Sequence, residues 1–100
     1  MVDFVRTKFD LGQIVATPGA LEVIAQEGHS PAEFIDRHVR GDWGSLSAAD
    51  RQLNEDALTD GSRILSAYRT RNGKKIWIIT EAVDDHGQRV ATTILLPDEY

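Results

Sequence analysis

The spacing of apolar residues predicts one short strand and then three helices in the first sixty residues. Residues 11–16, LGQIVA, form a brief aliphatic run of the kind found in β-strands. Three segments then carry apolar residues three or four positions apart, which is the spacing of one helix face. The residues predicted to be buried by these helices are Leu21, Ile24 and Ala25, then Phe34, Ile35, His38 and Val39, and finally Leu53, Ala57 and Leu58.

Capping residues set the limits of the three predicted helices. Pro18 and Pro31 stand at first helical positions, where a residue without a backbone N–H costs nothing. We predict the second helix over 31–40 and the third over 48–60, each preceded by a serine that can cap it. The predicted N-caps are Thr17, Ser30 and Ser47, and the glycines predicted to end the helices are Gly28, Gly41 and Gly61.

The last forty residues change to the alternating pattern of β-strands. Segments 63–71, 75–83 and 89–96 are rich in β-branched and aromatic residues. Asn72–Gly73 is typical of a two-residue hairpin turn, and a second turn surrounds His86–Gly87. The sequence therefore predicts an α+β fold in the order β-α-α-α-β-β-β. Three helices would pack on one face of a C-terminal three-stranded antiparallel meander, which the short N-terminal strand could join at an edge.

Turn lengths predict which strand residues share a face of the sheet. Turns centred on these two dipeptides pair Tyr68 with Trp77 and Ile79 with Ile94. One face then becomes consistently apolar, and we expect it to pack on the helices. Its predicted members are Ile64, Tyr68, Trp77, Ile79, Val83, Val90, Ile94 and Leu96.

The opposite face of the predicted sheet is also apolar at its centre, although a solvated face should alternate to polar residues. We expect this face to be covered either by the N-terminal segment, with Phe4, Val5 and Phe9, or by another protein chain, which could be a second copy. The candidate partner-binding residues on this face are Leu65, Arg69, Arg71, Ile76, Ile78 and Leu95.

The charge distribution offers two alternative functions. The net charge of −5 weakens general attraction to nucleic acid, but segment 63–75 contains five basic residues and no acidic one. This hairpin could bind nucleic acid weakly. Alternatively, a counter-defence inhibitor of the anti-CRISPR or anti-restriction type could use carboxylates to mimic phosphates and block a nucleic-acid-handling complex. The acidic residues for this alternative are Asp50, Glu55, Asp56 and Asp60.

Composition and motifs favour a binding protein over an enzyme. The 41% hydrophobic and 27% charged residues are those of one ordinary globular domain, 1–100. The chain has no cysteine and lacks the HExxH, GxSxG, Walker and GxGxxG motifs, so we expect no catalytic residue, cofactor or metal site. It has no apolar run of roughly 20 residues and no secretion signal, so we expect no membrane association and a cytoplasmic location.

The stretch HVRGDWGSLS, residues 38–47, contains Arg40–Gly41–Asp42, a tripeptide known as an adhesion signal. Its place between two predicted helices favours a structural role instead. Gly41 should end the second helix with a positive φ, and Trp43 should be buried as an anchor between the second and third helices. His38 is expected at the edge of the core, because it follows Phe34 by four positions.

Blocks spread over nearly the whole chain resemble a family of small bacterial proteins. They are MVDFVRTKFDLGQIVATPGALE at the start, HVRGDWG in the middle, DGSRILSAYRTRNG, and ITEA followed by TTILLPDEY near the end. Members of this family are about as long as this chain and are plasmid-related. The resemblance implies a setting on mobile genetic elements and implies no catalytic residues. We therefore expect a small non-enzymatic accessory protein that acts by binding another protein.

Overall fold

The computed structural model describes residues 7–100, and its fold belongs to the predicted α+β class. The strands are β1 (Gln13–Ala16), β2 (Ile64–Arg69), β3 (Lys75–Thr80) and β4 (Ala91–Leu95). The helices are α1 (Pro18–Gln26), α2 (Pro31–Val39) and α3 (Ala48–Asp60), and a short 3₁₀ helix, η1 (Pro97–Glu99), follows β4.

The sheet has four strands in the order β1-β4-β3-β2, so the prediction of a three-stranded antiparallel meander was wrong in this respect. β2, β3 and β4 are antiparallel neighbours, as predicted. β1 joins the edge beside β4 and runs parallel to it, with Gln13 opposite Ala91 and Ala16 opposite Ile94. The result is a mixed sheet, because the chain returns to β1 only after passing through the three helices and two strands.

The predicted caps are confirmed at all three helices. Thr17 and Ser47 each accept a hydrogen bond from a backbone N–H in the first turn of the helix that follows. Ser30 forms a complete capping box with Glu33. These bonds satisfy donors that helix geometry leaves without a partner. The glycines that follow the helices have positive φ angles of 72° at Gly28, 87° at Gly41 and 81° at Gly61.

Both hairpin turns contain three loop residues rather than two. In the first turn, the N–H of Thr70 donates to the carbonyl of Lys74, and Gly73 is left-handed with φ 80°. Asn72 lacks the positive φ that a two-residue turn of type I′, the usual form for Asn–Gly, requires. The turn between β3 and β4 repeats the pattern, with Gly87 as its left-handed residue. A three-residue loop that ends in a left-handed glycine is the next commonest hairpin connection.

The extra loop residue shifts both predicted strand pairings by one position. Tyr68 lies opposite Ile76 rather than Trp77, and Ile79 lies opposite Thr93. Because side chains alternate along a strand, this shift exchanges the two faces of β3 relative to its neighbours. The strand residues that face the helices, all at most 1% exposed, are Ile64, Ser66, Tyr68, Ile76, Ile78, Thr80, Thr92 and Ile94.

Two groups of apolar residues fill the space between the helices and the sheet. α1 and α2 contribute Ile24 and Phe34 to the first group, which packs on β2, β3 and β4. α3 contributes Ala57 to the second group, where it meets Trp43 and Ile64. All three helices therefore cover the same face of the sheet, as the sequence predicted.

The predicted buried helix positions were partly wrong. Leu21 is 44% exposed because Ala20, one position earlier, faces the sheet together with Ile24. Leu53 is 64% exposed because the next residue, Asn54, takes the buried position beside β2. The other residues predicted to be buried that prove to be exposed are Ala25, Val83 and Val90.

The outer edge of β2 is bonded to other parts of the chain. The Asn54 side-chain amide donates to the carbonyl of Leu65 at 2.6 Å and accepts from its N–H at 3.1 Å, as a neighbouring strand would. The segment before α3 continues this edge, since Ala67 N–H donates to Trp43 O and Ser45 N–H donates to Ala67 O. These bonds satisfy backbone groups that would otherwise attract another strand.

Candidate binding surface

The sheet face opposite the helices has only partial cover from the described residues, and we call it the open sheet face. Its middle rows of side chains are apolar apart from Thr93. Arg69 and Lys75 lie opposite each other and close one end with two positive charges. Arg63, just before β2, and Glu81, just after β3, lie at the other end. The open sheet face consists of Gln13, Val15, Leu65, Ala67, Arg69, Lys75, Trp77, Ile79, Ala91, Thr93 and Leu95.

Tyr100 lies across part of the open sheet face. Its ring packs edge-on against Trp77, with 5.9 Å between ring centroids. Its hydroxyl group accepts a 2.6 Å hydrogen bond from the guanidinium of Arg63. Beneath it, Ile79 and Leu95 are each only 5% exposed. Tyr100 itself is 69% exposed, so the cover over this face presents a large aromatic ring to solvent.

The predicted cover by the N-terminal segment is not found for Phe9. Its ring packs 5.1 Å from that of His38 and 6.1 Å from that of Trp43, on the helix side of the sheet. Phe4 and Val5 lie outside the described residues. Among residues 7–100, the cover of the open sheet face therefore comes from the chain's C-terminal end rather than from Phe9.

The six candidate partner-binding residues do not lie together. Leu65, Arg69 and Leu95 are on the open sheet face, as predicted. Ile76 and Ile78 are 0% exposed beneath the helices, so their assignment to a partner-binding surface was wrong. The cause is the one-residue shift in register, which turns these two side chains inward.

Sequence reasoning missed the residues that replace Ile76 and Ile78 on the open sheet face. Trp77 and Ile79 occupy their places, and Lys75 extends the basic end. A three-residue loop at the first turn would have given this register, because Gly73 can adopt the required left-handed conformation. No repeating pattern of apolar residues predicts the position of Tyr100, because it follows the last strand and η1.

Arg71, the remaining candidate, belongs to the hairpin turn and is bonded to the loop between α1 and α2. Its guanidinium donates to the carbonyl of Glu27 at 3.0 Å, and its N–H donates to the ring Nε2 of His29 at 3.2 Å. The Glu27 carboxylate accepts hydrogen bonds from Thr70 and from the N–H of Asn72. The basic residues of this hairpin therefore do not share one surface. Arg71, in the turn, contacts the loop between α1 and α2, whereas Arg69 and Lys75 lie on the open sheet face.

A shallow cleft of about 240 Å³ lies where the open sheet face meets the loop before α3. Its walls combine aromatic, aliphatic and basic side chains with the carboxylate of Asp50. A neighbouring depression brings in Leu53, the most exposed aliphatic residue of α3, so the apolar surface continues past the edge of β2. The side chains that line the cleft and the depression include Leu46, Asp50, Leu53, Leu65, Arg69, Lys75 and Trp77.

The four acidic residues of α3 do not form one surface. Successive helix residues are rotated by about 100°, so Asp50, Glu55 and Asp56 point in three directions at least about 100° apart. Only Asp56 and Asp60 lie side by side, one helical turn apart. Glu55 also accepts a hydrogen bond from the indole N–H of Trp43 at 2.7 Å. This arrangement gives little support to a row of carboxylates that mimics a phosphate backbone.

His38 belongs to the buried stripe of α2, as predicted, but with 0% exposure it lies inside the core rather than at its edge. Burial lowers its pKa to about 3, so its ring is neutral near pH 7. Nδ1 lies 2.6 Å from the Ser66 hydroxyl, and Nε2 lies 2.8 Å from the Thr80 hydroxyl. Because the ring has no contact with solvent, His38 is a core residue that ties α2 to β2 and β3.

The hydrogen bonds of His38 continue across the sheet in one direction. Thr80 lies 2.7 Å from Thr92, whose hydroxyl donates to the carbonyl of Leu11 at 2.7 Å. Since each hydroxyl has one proton, Thr80 must donate to Thr92 and accept from Nε2–H of His38. Nδ1 of the neutral ring then accepts from Ser66. The carbonyl at the end of this chain of bonds thereby fixes the His38 tautomer.

Arg40 and Asp42 are each paired with a neighbour in α2. Arg40 Nε lies 3.0 Å from a carboxylate oxygen of Asp36, and Arg37 Nε lies 2.7 Å from one of Asp42. The hydrogen bond from Arg37 lowers the pKa of Asp42. Trp43, beside them, is 4% exposed, which confirms the predicted anchor. The Arg40–Gly41–Asp42 tripeptide therefore has a structural role, because it ends α2 and leads into the buried Trp43.

Residues 7–100 contain no group of three or more His, Asp or Glu side chains arranged to hold a metal ion. No helix within this range is long and apolar enough to cross a membrane. Searches of protein-family models, of curated proteins and of solved structures found no match to the chain. The feature that best supports a functional proposal is therefore the open sheet face.

Proposed function

We propose that the chain is a small non-enzymatic interaction protein whose open sheet face binds an acidic, partly apolar surface of another protein. The observation that carries this proposal is the presence of partly exposed Trp77, exposed Tyr100 and a basic border on one face. Aromatic and arginine residues are the types most enriched at the centres of protein interfaces. A contiguous apolar surface with a polar border is a typical interaction site.

The charges around the face support an acidic partner surface. The whole chain carries a net charge of −5, yet three basic residues border the open sheet face, and two of them lie side by side at one end. The carboxylates of Asp50, Glu81 and Glu99 line depressions on the same face. A partner with carboxylates around apolar side chains would pair with this border while covering Trp77. Binding should therefore weaken as the salt concentration rises. The three basic residues are Arg63, Arg69 and Lys75.

The setting that we propose is a mobile genetic element in a bacterial cytoplasm, and it rests on the sequence blocks that resemble plasmid-related proteins. An accessory protein of such an element would act by occupying a surface of a host or element-encoded protein. The acidic counter-defence alternative has weaker support, because Asp50, Glu55 and Asp56 point in different directions around α3.

Reversal of the border charges is expected to weaken partner binding at least about tenfold. The double variant Arg69→Glu/Lys75→Glu changes two exposed side chains, so the fold should persist. Partners would be captured from the native host with the wild-type chain, identified, purified and titrated by calorimetry at two salt concentrations. Arg40→Glu is the matched control, since it reverses an exposed charge on the helix side.

The expected result is a partner that retains wild-type affinity for Arg40→Glu and loses affinity for the double variant. Trp77→Ala should cause a further loss, because truncation of a central aromatic typically costs at least about 2 kcal/mol of binding. A purified partner that binds the double variant and Trp77→Ala as tightly as wild type would refute the proposed binding surface.

A second candidate function is single-stranded nucleic-acid binding on the same face. The observation that favours it is the position of Trp77, which lies on the open sheet face beside Tyr100 and not in the core as predicted. Sheet faces that bind single strands combine stacking aromatics with basic side chains, and Arg63, Arg69 and Lys75 supply the charge here. The net charge of −5 acts against this function, so we rank it second.

Fluorescence anisotropy with short labelled single-stranded DNA and RNA tests the nucleic-acid candidate. If the candidate is correct, binding should appear at low salt and fall steeply as salt increases, because each neutralised phosphate releases a counterion. Trp77→Ala should weaken it by roughly 1–3 kcal/mol, the usual value of one stacked base. Absence of binding at about 50 mM salt, or binding that Trp77→Ala leaves unchanged, would eliminate this function.

A further inference from the structure

We infer that β1 is a pairing site for a second copy of this chain, so that two four-stranded sheets join into one continuous eight-stranded sheet. The inference does not rest on the proposed function, because it is argued from the backbone edge of β1, although Val15 of that strand also belongs to the open sheet face. The partner is identified by the chemistry of that edge, which requires a β-strand with the same arrangement of backbone groups.

The two edges of the sheet are treated differently by the rest of the chain. The Asn54 amide and the segment before α3 bond the outer backbone groups of β2 at Leu65 and Ala67. β1 has no such protection among the hydrogen bonds of residues 7–100. Its sequence, QIVA, has no charged residue and no proline, which are the usual devices that discourage pairing at an edge.

The pairing of β1 with β4 determines which backbone groups face outward. The N–H groups of Gln13 and Thr17 both donate to β4, at 3.0 Å from the carbonyls of Val90 and Ile94. Backbone direction alternates along a strand, so the N–H and C=O groups of the intervening Ile14 and Ala16 point away from β4. These four groups form the hydrogen-bonding edge that an added strand would use.

The side chains of β1 also suit a buried position. Ile14 is 49% exposed and Val15 is 41% exposed, one toward the helix side and the other on the open sheet face. Ile14 borders an apolar hollow of about 510 Å³ between β1 and α2. Pairing with another strand would cover both side chains and narrow this hollow. The α2 residues that line the hollow are Pro31, Ala32, Ile35, Asp36 and Val39.

A second copy of β1 is complementary to the first when the two strands run antiparallel about a two-fold axis at Val15. Ile14 of one copy then lies opposite Ala16 of the other, and the two such pairs can exchange four hydrogen bonds. The two Val15 side chains meet at the axis as a close pair, which favours β-branched residues. The apolar row of Val15, Ile79 and Leu65 would continue into the second copy. A two-fold interface of this kind needs no other protein.

The test measures self-association by sedimentation velocity from about 1 to about 500 µM chain, a range that brackets ordinary dimer affinities. The wild-type chain should form dimers, and Val15→Lys should weaken the dimer at least tenfold, since it places two like charges opposite each other at the axis. Val83→Lys is the matched control because Val83 is an equally exposed valine, at 40%, away from β1.

Hydrogen exchange supplies a second readout that identifies the edge. The amides of Ile14 and Ala16 should become protected as the wild-type concentration rises, and they should remain unprotected in Val15→Lys. A chain that stays monomeric throughout the range would overturn the inference. A dimer that Val15→Lys leaves intact and Arg69→Glu/Lys75→Glu disrupts would assign self-association to the open sheet face instead.

Discussion

Acidification from about pH 7 to pH 5 is expected to lower the free energy of unfolding by about 2 kcal/mol through His38 alone. In the unfolded chain His38 has its ordinary pKa of about 6.5, whereas in the folded chain burial lowers its pKa to about 3. The unfolded state therefore binds more protons across this interval, and stability falls as pH falls. The contribution of His38 to the free energy of unfolding is fully present well above pH 6.5. It is lost progressively as the pH falls from there toward the folded pKa of about 3.

Urea unfolding at several pH values between 7 and 5 measures this effect directly. His38→Gln should be less stable near neutral pH, because it disturbs the bonds to Ser66 and Thr80, and its stability should depend less on pH. His86→Gln, an exposed histidine in the second turn, should keep the wild-type pH dependence. An unchanged pH dependence in His38→Gln would show that another group is responsible.

Gly44→Ala is expected to lower the free energy of unfolding by at least about 3 kcal/mol. Gly44 has φ 76°, which an alanine adopts only at a cost. Its new Cβ would collide with the carbonyl oxygen of Ala67 and lie 2.8 Å from a ring carbon of Tyr68. The first contact is with backbone, so no side-chain rotation can relieve it. The segment would have to move away from β2, and the Tyr68 bond to the carbonyl of Asp42 would be lost.

Gly73→Ala is the matched control for this prediction. Gly73 has φ 80°, but an added Cβ there meets no atom within 4 Å. Gly73→Ala should lower the free energy of unfolding only by the cost of placing an alanine at a positive φ, about 1–2 kcal/mol. Thermal or urea unfolding of the two variants separates the collision from the conformational term. If the two variants lose the same stability, the contact between Gly44 and β2 is less tight than the structure indicates.

Local signals in the sequence gave the helices and their limits correctly. Capping bonds at Thr17, Ser30 and Ser47 involve residues at most three positions apart, so a short window contains all the information that determines them. Gly41 and Gly61 are likewise determined by the helix that each follows. Pairing of β1 with β4 depends on residues almost eighty positions apart, and no local pattern specifies it.

Strand register was missed because a single residue of loop length decides it. Asn72–Gly73 fits both a two-residue and a three-residue turn, and the alternating apolar pattern of β3 has isoleucine or tryptophan on both faces. A hydrophobic pattern specifies register only when one face is polar, and here neither face is. Because of this error in register, Ile76 and Ile78 were predicted on the candidate binding surface and Trp77 was predicted in the core.

The buried face of α3 was missed for a different reason. Leu53 is the more apolar residue, yet Asn54 is buried because its amide makes two hydrogen bonds to Leu65. A buried amide is acceptable only when such partners exist, and a single sequence does not reveal them. The same polar requirement explains why hydroxyl groups of Ser66, Thr80 and Thr92 face the core around His38.

Every hydrogen bond in the chain from Ser66 to the carbonyl of Leu11 donates in the same direction. The energies of hydroxyl groups that do not touch each other therefore depend on one another. Ser66 is on β2 and Thr92 is on β4, with no bond between them, yet the direction of every bond in between is set by the carbonyl of Leu11. Thr92→Val would free the Thr80 proton, allow the His38 ring to adopt its other tautomer, and turn Ser66 from donor into acceptor. Substitutions of Ser66 and of Thr92 should therefore have non-additive effects on the free energy of unfolding. The two residues are coupled through the position of the His38 proton and not through direct contact.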